Sequence, residues 1–158
     1  EVADFHTYYV ADSYVLVHNV CDVDSYKKLK KTALPGEQVH HIGQDKAFGS
    51  VVPHGEAICV KLNGNIRLKK DRGSSHYKAH QTLESFWDNY RKGGKYYGTK
   101  PTIQQYNKAA YKSLINAGIS QNDAVFAMQK LFKQQTSYNL YRKSKVPNVP
   151  GSMNYIRR

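Results

Sequence analysis

Hydrophobic and polar positions divide this chain into a front half of short alternating runs and a rear half of helical ones. Residues 38–42 alternate well enough for a strand. Residues 57–70, AICVKLNGNIRLKK, set Asn63-Gly64 between two alternating arms, which is the sequence signal of a β-hairpin. Ser74 or Ser75 then offers an N-cap for a helix from residue 76 to about residue 90, stopped by Gly93-Gly94. Pro101 opens a second helix, on which Ile103, Tyr106, Ala110, Leu114 and Ala117 recur at helical spacing before Gly118 closes it. Ser120 caps a third, with Asp123 in the capping-box position and Ala124, Ala127, Met128 and Leu131 on one face. Phe86 and Trp87 read as core, Arg91 and Lys92 as a solvated face. Residues 22–34 are basic and weakly helical up to the Pro35-Gly36 turn, residues 46–57 are loop-like, and residues 143–158 form an extended basic tail. The order of elements predicts an α+β fold.

Composition narrows the class. A 158-residue chain that is 40% hydrophobic with 13 tyrosines has enough apolar surface for one folded domain. No run is long and apolar enough to cross a bilayer, and residues 1–20 lack the basic-then-apolar pattern of a signal peptide. Two cysteines are too few for a disulfide framework; one bridge remains open, but Cys59 lies in the apolar run 57–62 and reads as a buried thiol. Charge changes the picture more. Residues 1–20 hold three acids and no Lys or Arg, so residues 21–158 carry all 24 cations against nine acids, a net +15. Such a surface suits a polyanion, DNA or RNA, whose phosphates reward many Lys and Arg contacts. The same break marks a boundary between residues 1–20 and 21–158.

Residues 4–19, DFHTYYVADSYVLVHN, read as two short strands around a turn and end on His18-Asn19. An asparagine can cyclise onto its own carbonyl and cleave the chain after itself, helped by a preceding histidine. The stretch resembles the C-terminal end of the Hint (intein-like) domain that precedes the toxin tip in bacterial polymorphic toxins of the YD-repeat type. That resemblance implies that residues 21–158 are a toxin effector, secreted or presented at the cell surface as the tip of a larger protein and acting in the cytoplasm of a target cell. With the rest of the Hint domain absent, no self-cleavage is expected.

Four of the seven histidines fall in two short stretches, QVHHIGQ (38–44) and SSHYKAHQTLESFW (74–87). His76 and His80 stand one helical turn apart on one face, where two imidazoles reach one ion. Position 77 is Tyr, so the Glu of a zinc-protease HExxH is missing and a metalloprotease is not indicated. Neighbouring strand residues point to opposite sides, so one of His40 and His41 can serve as a third ligand while the other faces substrate. A neutral imidazole near pH 7 is suited to take a proton from water.

VHHI followed by HYKAH at the head of a helix resembles the HNH, or ββα-metal, nuclease finger of colicin-type DNases, and the HNH-type tips of polymorphic toxins. The match covers residues 38–84. The resemblance implies a ββα-metal finger built on the Asn-Gly hairpin and packed against the C-terminal helices. It also implies metal ligands His40, His76 and His80, with His41 as general base. The ion would be zinc or another transition ion rather than magnesium, because three imidazoles suit it better. Two departures are visible. The spacing from His41 to His76 is long, so residues 44–56 must absorb an insertion. The family's middle Asn, which orients the base, has two candidates, Asn63 and Asn65. His54 and Glu56 are further catalytic candidates, Glu84 is placed to fix a ligand imidazole, and Lys69, Lys70, Arg72 and Lys78 are candidate phosphate contacts. The expected activity is endonucleolytic, on DNA before RNA, by a monomer with a cognate acidic immunity protein. Two alternatives stand beside it. One is a metal-independent RNase or tRNase, in which His41 pairs with His54 or His76 as acid and base. The other is a non-enzymatic basic module that binds nucleic acid around a structural zinc.

Overall fold

The computed structural model describes residues 22–153. Residues 1–21 and 154–158, and with them the Hint-like stretch, lie outside the described residues. The fold is α+β. Its elements in chain order are β1 (Val23–Ser25), α1 (Tyr26–Thr32), β2 (Glu37–His41), α2 (Asp45–Phe48), β3 (Ile58–Asn63), a single 3-10 turn (Lys69–Asp71), α3 (Ser75–Asp88), α4 (Ile103–Asn116) and α5 (Gln121–Ser137). The three strands make one antiparallel sheet in the order β1-β3-β2.

The central strand is apolar because both its edges are covered. Cys59 and Val60 are fully buried, with β1 on one side and β2 on the other. The expected hairpin is corrected here. Only its first arm, β3, is a strand; residues 65–68 form a turn leading into the 3-10 turn. Gly64 takes φ +97 and its N–H bonds to the Gly36 carbonyl at the far end of β2, so β3 pairs back with the earlier strands. A Cβ on Gly64 would lie 2.2 Å from Ser74 Oγ, so only glycine allows this approach. Two further differences concern the front half. Residues 23–25 are strand rather than helix, and the stretch expected to be loop contains α2, which buries Ala47 and Phe48.

The helices follow their signals. Ser74 accepts from the Tyr77 N–H and starts α3. Thr102 and Gln105 form a full capping box on α4, and Ser120 accepts from the Asp123 N–H on α5. Their apolar faces meet the sheet in one core that includes Trp87, Tyr106, Leu114, Ala127 and Val60. Polar links fix the layers. Gln134 of α5 accepts from Ile58 N at 3.0 Å and donates to Glu56 O at 2.7 Å, and the Asn107 and Gln135 side-chain amides exchange hydrogen bonds between α4 and α5. The C-terminal tail is non-helical as expected but runs against the body, burying Val146 and Pro150. Arg91, expected in solvent, is mostly buried. It grips Glu84 with two hydrogen bonds (2.8 and 2.9 Å) and donates to the Pro150 and Gly151 carbonyls.

Candidate metal centre and nucleic-acid cleft

His40 and His41 show how strand geometry divides two identical side chains. In register His40 faces Val60 and His41 faces Cys59. Alternation then sends the His40 ring toward α3 and the His41 ring toward Tyr26 at the start of α1. On α3, His76 and His80 stand one turn apart, and their Nε2 atoms are 3.0 Å from each other. The His40 ring lies 5.3 Å from His76 and 4.8 Å from His80, centroid to centroid, at nearly perpendicular angles. One ring nitrogen from each of the three falls within 4.8 Å of the others.

All three are buried. Both nitrogens of His40 and Nδ1 of His80 lack a hydrogen-bond partner among the described residues. An unpaired buried polar group costs about 1–3 kcal/mol, so nitrogens left this way fit a ligand role. The His76 Nδ1–H donates to the Gly64 carbonyl at 3.0 Å, which leaves Nε2 as the lone pair turned to its neighbours. Burial holds His40 well below the ordinary imidazole pKa, pushes His80 down to about 3 and lowers His76, each also affected by its surroundings. Three neutral imidazoles at pH 7 are the form that coordinates a cation. The donor set fits a divalent transition ion.

His41 occupies a different environment. Its ring stacks on Tyr26 with centroids 4.8 Å apart and planes 18° from parallel. Its Nε2–H donates to the His54 carbonyl at 3.3 Å, leaving Nδ1 as the lone pair. Burial lowers the His41 pKa, partly opposed by that hydrogen bond. His54 lies beside it, ring centroids 4.6 Å apart, and His54 Nδ1 is 3.0 Å from Asp45 Oδ1. His40, His41, His76 and His80 line one cleft of about 240 Å³, walled also by Gln44 and Asp45 at the start of α2 and by Pro150 and Met153 from the tail.

Other expected residues are placed differently. Glu56 is exposed and ion-paired with Lys27, outside the cleft lining. Neither Asn63 nor Asn65 lines the cleft. Asn63 ends β3 on the surface, and Asn65 is tied into its own turn by Arg67 N–H and Asp71. The group that meets His41 is the His54 backbone. Glu84 sits beneath the site and binds Arg91 and the Met153 N–H, which anchors the tail segment forming one cleft wall. Lys69, Lys70, Arg72 and Lys78 are exposed around the start of α3, and none is ion-paired to a described residue.

Tyr26, Gln44, Asp45 and Lys46 were not apparent from sequence, because only the sheet and the short α2 that follows β2 bring them beside the histidines. Gln44 is buried, its Oε1 accepts from Trp87 Nε1, and its Nε2 has no partner among the described residues. A larger, mostly apolar groove of about 470 Å³ between α4 and α5 contains no histidine or carboxylate in its lining. Among the described residues no helix is long and apolar enough to cross a membrane. No known protein family, curated protein or solved structure matches the chain.

Proposed function

We propose that the chain is a metal-dependent endonuclease of the HNH type, the effector tip of a bacterial polymorphic toxin, which hydrolyses phosphodiester bonds with DNA preferred to RNA. The observation that carries this reading is the division of roles between adjacent histidines: His40 joins His76 and His80 in a buried neutral cluster, while His41 turns to the same cleft with one lone pair. Support also comes from the placement of the His-His pair on β2 and of the paired histidines on α3, with β3 between them in the chain and α2 and the 3-10 turn as additions to a ββα arrangement.

In this mechanism His41 Nδ1 takes a proton from the attacking water, and the His54 carbonyl holds the ring in the tautomer that leaves Nδ1 free. Burial lowers the His41 pKa, which favours the neutral ring whose lone pair can accept a proton. A divalent ion held by His40, His76 and His80 would supply positive charge to stabilise the departing oxyanion. Lys69, Lys70, Arg72 and Lys78 bind backbone phosphates around the start of α3, and Gln44 Nε2 offers a donor from the cleft wall. A toxin of net +15 over residues 21–158 needs an acidic immunity partner to protect its producer, and is delivered into the target cytoplasm by the larger protein.

A second reading has its own support. The His41–His54 contact, with Asp45 behind His54, has the form of an acid–base pair for metal-free RNA cleavage through the 2′-hydroxyl. Supercoiled plasmid and total RNA incubated with the purified chain, each with zinc, magnesium or chelator, separate the two. The nuclease proposal expects plasmid nicking that chelator abolishes and that His41→Ala lowers by about a hundredfold or more while the fold is kept. Cleavage confined to RNA and resistant to chelator would establish the second reading instead. Binding without cleavage of either would end both.

A further inference from the structure

We infer that His41, His54 and Asp45 form a second cation site, an exposed one for a divalent transition ion, beside the buried triad. One ligating atom from each of the three lies within 4.8 Å of the other two. His54 Nδ1 and Asp45 Oδ1 are already 3.0 Å apart, close to the spacing of neighbouring ligands around an ion with bonds of about 2.0–2.2 Å. The ion would not have to gather the rings. Tyr26 stacks on His41 and meets His54 edge-on with centroids 4.4 Å apart, so one aromatic surface holds both.

The two clusters differ in chemistry as well as in place. The triad is buried and uncharged. The second cluster brings a carboxylate, and the His54 and Asp45 side chains are 54% and 45% exposed, so an ion there exchanges with solvent. Three protein ligands leave a position for water or a phosphate oxygen. Two imidazoles favour zinc, nickel or copper over magnesium. On binding, the ion takes the His54 Nδ1 lone pair, so the Nδ1 proton shared with Asp45 leaves to solvent while Nε2 takes one up and the ring stays neutral. His41 cannot hold an ion and accept a proton through the same lone pair, so occupancy silences the base. This last consequence, unlike the site itself, rests on the nuclease reading above.

Zinc bound per chain, measured by equilibrium dialysis on the full chain, tests the site without any cleavage assay. The intact protein should take two equivalents, one tight and one weaker. Asp45→Ala and His54→Gln, both at exposed positions, should keep the tight equivalent and weaken the other by about tenfold or more. His80→Ala should do the reverse. A single equivalent in the intact protein, or a second one that survives both Asp45→Ala and His54→Gln, would overturn the proposal. On the same samples, plasmid nicking should rise and then fall as zinc increases, and the fall should move to higher zinc in Asp45→Ala; a fall unmoved by that substitution would overturn the regulatory consequence.

Discussion

The His40 side chain concentrates the physical question. It is 2% exposed, has no hydrogen-bond partner among the described residues for either nitrogen, and faces two other imidazoles. In an ion-free chain such a residue is a liability that grows as pH falls. The unfolded chain binds protons on its histidines below about pH 6.5, whereas the folded chain holds His40, His76 and His80 neutral to lower pH. Folded pKa values below the unfolded one mean that stability falls as pH drops through 6.5, continuing toward about 3 for His80. For His80 alone the loss reaches about 2 kcal/mol by pH 5. Thermal melts of the chelator-treated chain between pH 7 and 5 should show a falling midpoint, and zinc should still raise the midpoint at pH 5, where the folded cluster stays neutral. A midpoint independent of pH over that interval would contradict the neutral, buried cluster. The pairing of His76 and His80 was legible at this scale because the i, i+4 spacing on a capped helix fixes two rings on one side. Asp45 and Gln44 were not, because nothing local in QVHHIGQDKAF says which loop atoms return to the strand end.

At the scale of elements, Gly64 links β3 to α3. Its φ of +97 turns the chain, its missing Cβ admits Ser74, and its carbonyl fixes the tautomer of His76. Gly64→Ala should destabilise the fold by about 1–3 kcal/mol from backbone strain, with further cost from the contact with Ser74, and should weaken zinc binding together with stability. Urea unfolding and zinc titration of that variant check both; unchanged stability would show that the turn is not strained against a side chain. The same glycine explains where sequence reading succeeded and failed. Asn63-Gly64 correctly marked a turn, but a two-residue hairpin loop was the wrong turn, since the partners of β3 are β1 and β2, which arrive from earlier in the chain. Local patterns do not specify such pairings. Helices α3, α4 and α5 were legible because their caps and apolar period are local properties. The three-residue β1 and four-residue α2 are too short to carry any period.

For the whole molecule, charge and architecture point the same way. Residues 89–153 carry eleven Lys and Arg against one acid, Asp123, so the helical layer is almost uniformly basic. That layer supports the site mechanically: Arg91 binds Glu84 of α3 and the carbonyls of Pro150 and Gly151, holding the tail as one wall of the histidine cleft. The tail's basic character was legible in sequence, but its packing was not, because it depends on Arg91 and Glu84 reaching backbone groups of the tail far along the chain. Its charge fits both partners of the proposed toxin, a polyanionic substrate and an acidic inhibitor. All of this depends on one ion at the triad. X-ray absorption fine structure of the full chain loaded with one equivalent of zinc should show three imidazole nitrogens at about 2.0–2.1 Å and a light fourth atom. A shell dominated by oxygen, or by fewer than three imidazoles, would contradict the account.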